Sequence, residues 1–127
     1  MPLFAWRESY SIGNEELDSH HRTLFNIMNR LYDNSFEHDN KESFDTTLEE
    51  LISYSKYHFI AEEQYMIDID YGNIYEQISE HEYFTRSVLE IKRDKYAEGN
   101  ELCRVLIAFL GRWLLQHILE SDKKIAA

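Results

Sequence analysis

Apolar residues recur every three or four positions in four successive segments of the chain, which is the period of an amphipathic helix rather than of a strand. In the fourth segment these residues are Leu102, Leu106, Phe109, Leu110, Trp113 and His117. Turn-forming residues separate the segments at 13–14, 33–41, 70–73 and 99–100. Short connections between amphipathic helices are typical of an antiparallel bundle. The sequence therefore predicts an all-α, up-down-up-down four-helix bundle with an N-terminal arm over about residues 1–13.

Each of the four predicted helices carries one histidine on its apolar face. The four are His21, His58, His81 and His117. The other two histidines of the chain, His20 and His38, fall off the apolar faces. With a rise of about 1.5 Å per residue, the four inward histidines lie at similar heights in an antiparallel bundle. We therefore expect their rings to meet in one layer of the core.

Two carboxylates join this layer. Glu62 follows His58 by one helical turn, so both side chains project from the same face. An ionised carboxylate inside a bundle costs roughly several kcal/mol unless a charge compensates it, and a cation supplies that charge. Asp122 comes five residues after His117, which rotates it by about 140° on a regular helix. Asp122 therefore reaches the layer only if the last turn frays or is distorted.

The donor set of this layer indicates a metal centre. Imidazole and carboxylate groups suit iron, zinc or manganese. The layer offers six donors, which is more than one tetrahedral zinc ion accepts, so two metal ions are the better count. The Glu-x-x-His pairs of ferritin-like di-iron bundles do not occur in the chain.

The composition excludes several other classes of protein. A length of 127 residues fits one domain with a self-sufficient core. The net charge of -11 argues against nucleic acid or an anionic membrane as a partner. The single cysteine, Cys103, cannot form an internal disulfide, and we interpret it as a packing residue. No secretory leader or membrane-spanning run is recognisable, so the sequence predicts one cytoplasmic domain over residues 1–127.

Four groups of residues form a pattern that extends over nearly the whole chain. They are Ile12, Gly13, Leu17, Asp18 and His21; Tyr57, His58, Phe59, Glu62, Glu63 and Met66; His81, Glu82 and Phe84; and Trp113, Leu114, His117, Ile118, Asp122 and Lys123. In this pattern, from Trp6 to Lys123, the chain resembles the hemerythrin and bacteriohemerythrin family.

The resemblance implies a non-haem centre of two iron ions with an oxo or hydroxo bridge, and dioxygen as its ligand. It implies that His21 and His58 hold the iron that binds oxygen. The residues implied for the second iron and for bridging both ions are His81 and His117, and Glu62 and Asp122, respectively. The apolar wall of the oxygen pocket is implied to comprise Leu24, Phe59, Trp113, Leu114 and Ile118.

Two positions depart from the family pattern. Where the family has the first histidine of a His-x-x-x-His pair on the third helix, this chain has Gln77, four residues before His81. Gln77 is a candidate metal ligand through its amide oxygen, but it could also leave a site for water or hydrogen-bond to a ligand. His20 stands where the family usually has glutamine, and we expect it to support a ligand or to be exposed rather than to bind metal.

These features indicate reversible dioxygen binding by an oxygen carrier, store or deliverer rather than by an enzyme. The partners would be dioxygen or other small exogenous ligands, and no protein partner is indicated. One alternative is a sensor of oxygen, redox state or nitric oxide, which a fused signalling domain would favour and which this sequence does not include. The other is a peroxidase-like di-iron enzyme, which a labile metal position beside Gln77 would favour.

Overall fold

Helices make up most of the structure, a computed structural model that describes residues 4–34, 41–94 and 99–126. The four long helices are α1 Glu15–Asn34, α2 Lys41–Asp68, α3 Ile74–Asp94 and α4 Gly99–Gln116. A π-helical turn, His117–Asp122, and a short helix, α5 Lys123–Ala126, continue from α4. No strand occurs within the three described ranges.

The long helices pack as an antiparallel bundle. Each contacts its neighbour in the chain, and α4 returns to contact α1. The shared core contains fully buried side chains from every long helix, among them Leu24, Leu51, Phe84 and Ile107. The prediction of an all-α, up-down-up-down four-helix bundle is confirmed. Among the helices of the described ranges, none has the length and apolar character needed to cross a membrane.

The buried face of α4 differs in part from the prediction. The prediction that Phe109 faces the core is wrong, because its side chain is 56% exposed. Among the described side chains of α4, Ile107, Leu110 and Leu114 are buried, and Ile118 of the following turn continues the same face. The turn expected at 99–100 belongs to the first turn of α4, which begins at Gly99. His38 and the side chains of Leu102, Cys103 and Leu106 lie outside the described residues.

Local hydrogen bonds set the helix ends nearest the site. At the start of α1, the backbone N–H of Leu17 donates to Asn14 Oδ1 at 3.1 Å, so Asn14 caps the helix. After the end of α2, the N–H of Tyr71 donates to the carbonyl of Met66 at 2.9 Å. Asp70 takes a φ of 57° between them, a conformation that aspartate adopts more easily than most residues. The chain can then turn sharply into α3.

The N-terminal arm packs against α1 and α4. Asn29 of α1 holds the backbone of Phe4 at both polar groups: the Phe4 N–H donates to Asn29 Oδ1 at 2.8 Å, and Asn29 Nδ2 donates to the Phe4 carbonyl at 2.7 Å. The Phe4 ring lies directly over Gly111, where an added Cβ would come 2.0 Å from Phe4 Cζ. The glycine inside α4 therefore allows close approach of the arm.

Candidate metal centre

Four buried histidines meet in the middle of the bundle as two pairs. His21 of α1 lies beside His58 of α2, with ring centroids 4.7 Å apart. His81 of α3 lies beside His117, which begins the π-helical turn, at 5.1 Å. None of the four residues is more than 4% exposed. The layer of histidine rings expected from their positions along the helices is therefore present.

Glu62 lies between the two histidine pairs and is fully buried. Its Oε2 is 3.1 Å from His58 Nε2 and 3.3 Å from His21 Nε2. Its Oε1 is 2.8 Å from His81 Nε2 and 3.7 Å from His117 Nε2. One carboxylate oxygen therefore faces each pair.

Asp122 joins the same cluster because the helix widens after His117. In a π-helix the backbone hydrogen bond closes from i to i+5, so residues five apart lie nearly above one another, whereas on an α-helix they are rotated by about 140°. Asp122 Oδ1 is 3.2 Å from His117 Nε2, and Asp122 Oδ2 is 3.2 Å from His21 Nε2. The distortion that the sequence requires at this point is a π-helical turn.

The six side chains form two overlapping groups of donors. Within each group, one ligand atom from every residue lies within 4.8 Å of the others. The first group is His21, His58, Glu62 and Asp122, and the second is Glu62, His81, His117 and Asp122. Because the two carboxylates belong to both groups, the arrangement can hold two cations with shared carboxylate ligands.

The orientation of the donors also fits metal ions. Among the described residues, both oxygens of Asp122 and the Nε2 of His117 are buried without a hydrogen-bond partner, although Asp122 Oδ1 and His117 Nε2 are only 3.2 Å apart. Buried donor atoms that lie this close together are near enough to bind the same cation. Nitrogen and oxygen donors of this kind suit iron, zinc or manganese.

The outer ring nitrogens of His81 and His117 contact carboxylates. His81 Nδ1 lies 2.8 Å from Glu63 Oε2, and His117 Nδ1 lies 3.0 Å from Glu80 Oε2. Since each Nε2 faces the centre, each Nδ1 carries the proton and donates to its carboxylate. Ser121 Oγ donates to the other oxygen of Glu80 at 3.0 Å. These contacts fix the orientation of both imidazole rings.

The outer nitrogens of His21 and His58 have different surroundings. His58 Nδ1 lies 3.1 Å from His20 Nδ1. His21 Nδ1 is buried, with no hydrogen-bond partner in the part of the chain that the structure describes. His20 is only 5% exposed, so the expectation that it lies off the buried face, and the alternative that it is exposed, are wrong. Its contact with His58 is the geometry of a residue that supports a ligand.

The cluster shifts the pKa values of its members in different directions. Burial disfavours charge on His21, but the nearby carboxylates of Asp122 and Glu62 outweigh it and raise the pKa of His21 to about 9. Burial likewise opposes charge on His117, yet Asp122 holds its pKa well above the usual value. At His58 burial prevails and lowers the pKa. Burial would raise the pKa of Glu62, but the histidines around it keep it well below its usual value. The raised pKa values of His21 and His117 favour their protonated forms, and positive charge on these rings compensates the charge of Glu62.

Apolar side chains surround the cluster. The aliphatic residues expected in an oxygen pocket are all buried in the core: Leu24, Leu114 and Ile118. Phe59 stacks on His81, with centroids 4.1 Å apart and planes at 9°. Trp113 stacks on His117 at 5.3 Å and 9°. Both aromatic residues were expected beside His21 and His58. Phe59 also lies beside His58, with centroids 5.6 Å apart, and so contacts both pairs, whereas Trp113 stacks on His117.

The arm packs beside His21 of the other pair. The Trp6 ring lies 6.5 Å from the His21 ring and 6.0 Å from that of Phe25. The Arg22 guanidinium lies 5.3 Å from the centre of the Trp6 ring, within the range of a cation–π contact. Lys123 Nζ donates to the carbonyl of Ser11 at 2.7 Å and ties the arm to α5.

Gln77 lies on α3, one turn before His81. It is 2% exposed, and neither Oε1 nor Nε2 has a hydrogen-bond partner among the described residues. Together with Glu80 and Ser121, Gln77 lines a small pocket at this end of the bundle. Because Glu80 contacts His117 and Ser121 donates to Glu80, the shared pocket lining brings Gln77 to the side of the second donor group.

Three residues of the site were not recognised in the sequence. Glu63 and Glu80 bind the outer nitrogens of two histidines, and Trp6 covers a third. The available signal is adjacency in the chain, since Glu63 follows Glu62 and Glu80 precedes His81. Adjacency alone does not tell which histidine each carboxylate reaches.

Known proteins resemble this chain over almost its full length. The family described as the hemerythrin HHE cation binding domain matches residues 12–127. Bacteriohemerythrin of Clostridium acetobutylicum is 30% identical over 96% of this chain and 98% of its own length, and the hemerythrin-like protein of Naegleria gruberi is 31% identical over 95% and 89%. A crystal structure of a hemerythrin variant has a TM-score of 0.88 at 25% identity and covers 99% of this chain and 96% of the other. The chain therefore belongs to the hemerythrin family.

Proposed function

We propose that this chain, as a single hemerythrin-like domain, binds two iron ions and binds dioxygen reversibly at them, as an oxygen carrier, store or deliverer rather than as an enzyme. The observation that carries the proposal is the pair of buried donor groups that share Glu62 and Asp122. Membership of a cation-binding family, and relatives named bacteriohemerythrin, support the choice of ion and ligand. Two ferrous ions would supply the electrons that reversible dioxygen binding requires.

The chain would supply the ligands from α1, α2, α3 and the π-helical turn after α4. Glu62 and Asp122 would bridge the ions, since each has one oxygen near either histidine pair. The proposed ligands of the dioxygen-binding iron are His21 and His58, and those of the second iron are His81 and His117. Gln77 is considered separately below.

Buried side chains would keep water away from the His21–His58 side. Leu24, Leu114 and Ile118 are buried in the continuous core, and Trp6 covers His21 from the arm. A dry apolar surrounding limits the entry of water, anions and protons, which promote loss of the oxygenated state. These residues support reversible binding rather than turnover.

His20 would position His58. For His58 to face the centre through Nε2, its proton must sit on Nδ1, and His20 Nδ1 lies at 3.1 Å to accept it. This hydrogen bond would hold the ring of His58 in one tautomer and one orientation. A ligand held in this way needs less reorganisation when an ion binds.

The proposal includes a cytoplasmic location and small molecules as partners. A chain with one cysteine forms no internal disulfide, which agrees with a reducing compartment. The net charge of -11 disfavours nucleic acid and anionic membranes as partners.

Anaerobic reconstitution with ferrous iron tests the proposal. We expect about two irons per chain by metal analysis, because two donor groups are present, and a visible absorption band that appears with oxygen and disappears when oxygen is removed. Saturation at one ion per chain, or a spectrum that oxygen does not change reversibly, would contradict it. Rapid turnover of added peroxide by the same sample would favour the enzyme alternative.

Variants in α2 provide the controls. His58→Ala should lose iron and the stability that iron adds, because metal-binding free energy is also folding free energy. Tyr57→Ala changes the exposed neighbour of His58 and should keep both irons. Equal iron content in the two variants would show that His58 is not a ligand.

A further inference from the structure

Gln77 is a buried amide that forms no hydrogen bond within the described residues. Its Oε1 and Nε2 are both inaccessible to solvent, and the whole residue is 2% exposed. An amide buried without a partner destabilises the folded state, because it has lost its hydrogen bonds to water. The burial of Gln77 therefore points to a partner other than the side chains of the bundle.

The other buried atoms without partners in the described ranges belong to the centre or lie against it. They are both oxygens of Asp122, His117 Nε2, His21 Nδ1 and Trp6 Nε1. Asp122 and His117 are members of the second donor group. Gln77 thus shares with two proposed ligands the property of a buried polar atom that no neighbouring side chain satisfies.

The length and position of the side chain suit a ligand. Gln77 precedes His81 by four residues, so both project from the same face of α3. The Oε1 of a glutamine is separated from Cβ by the same number of bonds as the Nε2 of a histidine. An amide oxygen can therefore take the place of an imidazole nitrogen without a shift of the helix. It is, however, a harder and weaker donor to iron.

The histidines on this side of the centre have a feature that could offset a weaker donor. His81 and His117 each donate an Nδ1 proton to a carboxylate, Glu63 and Glu80 respectively. A carboxylate in this position makes the imidazole a stronger ligand through Nε2. Neither His21 nor His58 has a carboxylate at Nδ1 among the described residues. Within the described residues, a carboxylate therefore contacts Nδ1 only in the His81–His117 pair, which is the pair on the side of Gln77.

We propose that Gln77 binds the ion of the His81–His117 pair through Oε1, and that Glu63 and Glu80 compensate for this weaker donor by strengthening the two imidazoles. The inference rests on the two-iron function proposed above. In this arrangement the affinity for the second ion depends on the charges of Glu63 and Glu80, which do not bind the ion. The affinity for the ion of His21 and His58 depends on its direct ligands.

Substitution of Gln77 by methionine gives opposite results for a metal ligand and for a packing residue. Methionine has a similar volume and no amide. Metal-free Gln77→Met should melt about 3 °C or more above the wild type, because the unpaired amide is gone. Anaerobic ferrous iron should raise the melting temperature of the variant less than that of the wild type. Gln64→Met, which changes an exposed glutamine on α2, is the matched control and should change neither value by as much.

A cycle of variants tests the compensation. In competition with a ferrous chelator, Glu63→Gln and Glu80→Gln should each weaken the binding of one of the two irons about tenfold. The same substitutions should reduce the affinity for iron less in a Gln77→His background, because a third imidazole then holds that ion. An equal cost in both backgrounds would overturn the compensation.

The failures of the two proposals are distinguishable. If the wild type binds no iron, the proposed function fails and this inference fails with it. If the wild type binds two irons and Gln77→Met melts below it both with and without iron, Gln77 is a packing residue and only this inference is overturned. A variant that keeps the full iron-induced rise in melting temperature would overturn the ligand role in the same way.

Discussion

The two halves of the centre present similar groups to its middle but differ in what surrounds them. Both halves share Glu62 and Asp122, and each has two imidazoles. Around His81 and His117, carboxylates hold the outer nitrogens and aromatic rings stack on the imidazole faces. Around His21, the outer nitrogen has no partner within the described residues. The shared carboxylates therefore make the halves alike, and the contacts behind the imidazoles make them different.

The halves also differ in their connection to water. The side chains of Glu63 and Glu80 are 29% and 33% exposed, so they link His81 and His117 to the surface. His21 is completely buried beneath Trp6 and the arm. The two halves therefore differ in the groups directly behind the imidazoles: partly exposed carboxylates lie behind His81 and His117, and a buried ring nitrogen without a partner among the described residues lies behind the His21 imidazole.

Loss of a shared carboxylate should have the largest effect, because it affects both halves. Glu62→Gln should reduce iron from about two to less than one per chain after anaerobic reconstitution. It should also destabilise the metal-free protein by roughly 3 kcal/mol, since removing one member of a buried charge cluster leaves its partners uncompensated. Metal analysis and denaturant unfolding measure the two effects.

The control for Glu62 is a carboxylate outside the cluster. Glu82 is exposed on α3 beside His81, and Glu82→Gln should keep both irons and nearly full stability. If Glu62→Gln loses one iron only, the halves do not depend on Glu62 equally.

Raising the pH should destabilise the metal-free protein through the protonated histidines. His21 has a pKa of about 9 in the folded chain and an ordinary value of 6.5. Its contribution is therefore fully present below pH 6.5 and is lost as the pH rises through about 9. The loss is on the order of 3 kcal/mol, measured by urea unfolding across this range.

The same experiment separates His21 from its neighbour His58. Burial lowers the pKa of His58, so this residue weakens folding only when the pH falls below its ordinary value, and it adds nothing to the loss at high pH. Asp122→Asn should reduce the loss at high pH, because Asp122 is a principal cause of the raised pKa of His21. A stability that stays constant from pH 6.5 to 9 would contradict the proton compensation.

The sequence predicted the fold and the meeting of the histidines because both follow from helical periodicity. One histidine per apolar face, at matching heights, leaves the rings few other places to lie. It also predicted a distortion before Asp122, since a spacing of five residues is out of phase with a regular helix. The form of the distortion, a π-helical turn, was open.

The contacts behind the ligands could not be predicted from the sequence. Glu80 is adjacent to His81 in the chain but contacts His117, which depends on the register of α3 against the turn after α4. Phe109 was predicted to face the core because its spacing puts it in the apolar stripe of the fourth segment, yet the rotation of α4 leaves it exposed. Such rotations depend on packing between helices, and periodicity within one helix does not determine them.

Crowding of the arm should affect the His21–His58 half alone. Gly111→Ala places a Cβ 2.0 Å from Phe4 Cζ, so the Phe4 ring must move, and we expect the arm to loosen with it. We expect a loss of about 1–3 kcal/mol in stability from overpacking, and faster loss of the oxygenated state because Trp6 no longer covers His21. Iron content should stay unchanged.

A double variant shows whether the loss of stability in Gly111→Ala arises from its contact with the arm. In a Phe4→Ala background the ring that Gly111 accommodates is absent, so Gly111→Ala should cost little, or stabilise α4 by up to about 1 kcal/mol. If Gly111→Ala costs the same in both backgrounds, the effect arises within α4 and the arm does not protect this half.

Removing the partner of His58 should have the smallest effect and should again be confined to one half. His20→Leu deletes the acceptor at 3.1 Å from His58 Nδ1, and we expect the affinity for one iron to fall about tenfold while the other iron is unaffected. His20→Gln keeps an acceptor in its amide oxygen, so it should retain most of the affinity, whereas a residue needed only for packing would tolerate leucine at least as well. Chelator competition on the wild type and both variants, anaerobically and with ferrous iron, resolves the two equivalents. Equal weakening of both irons in His20→Leu would mean that the halves are coupled through Glu62 more strongly than their separate surroundings indicate.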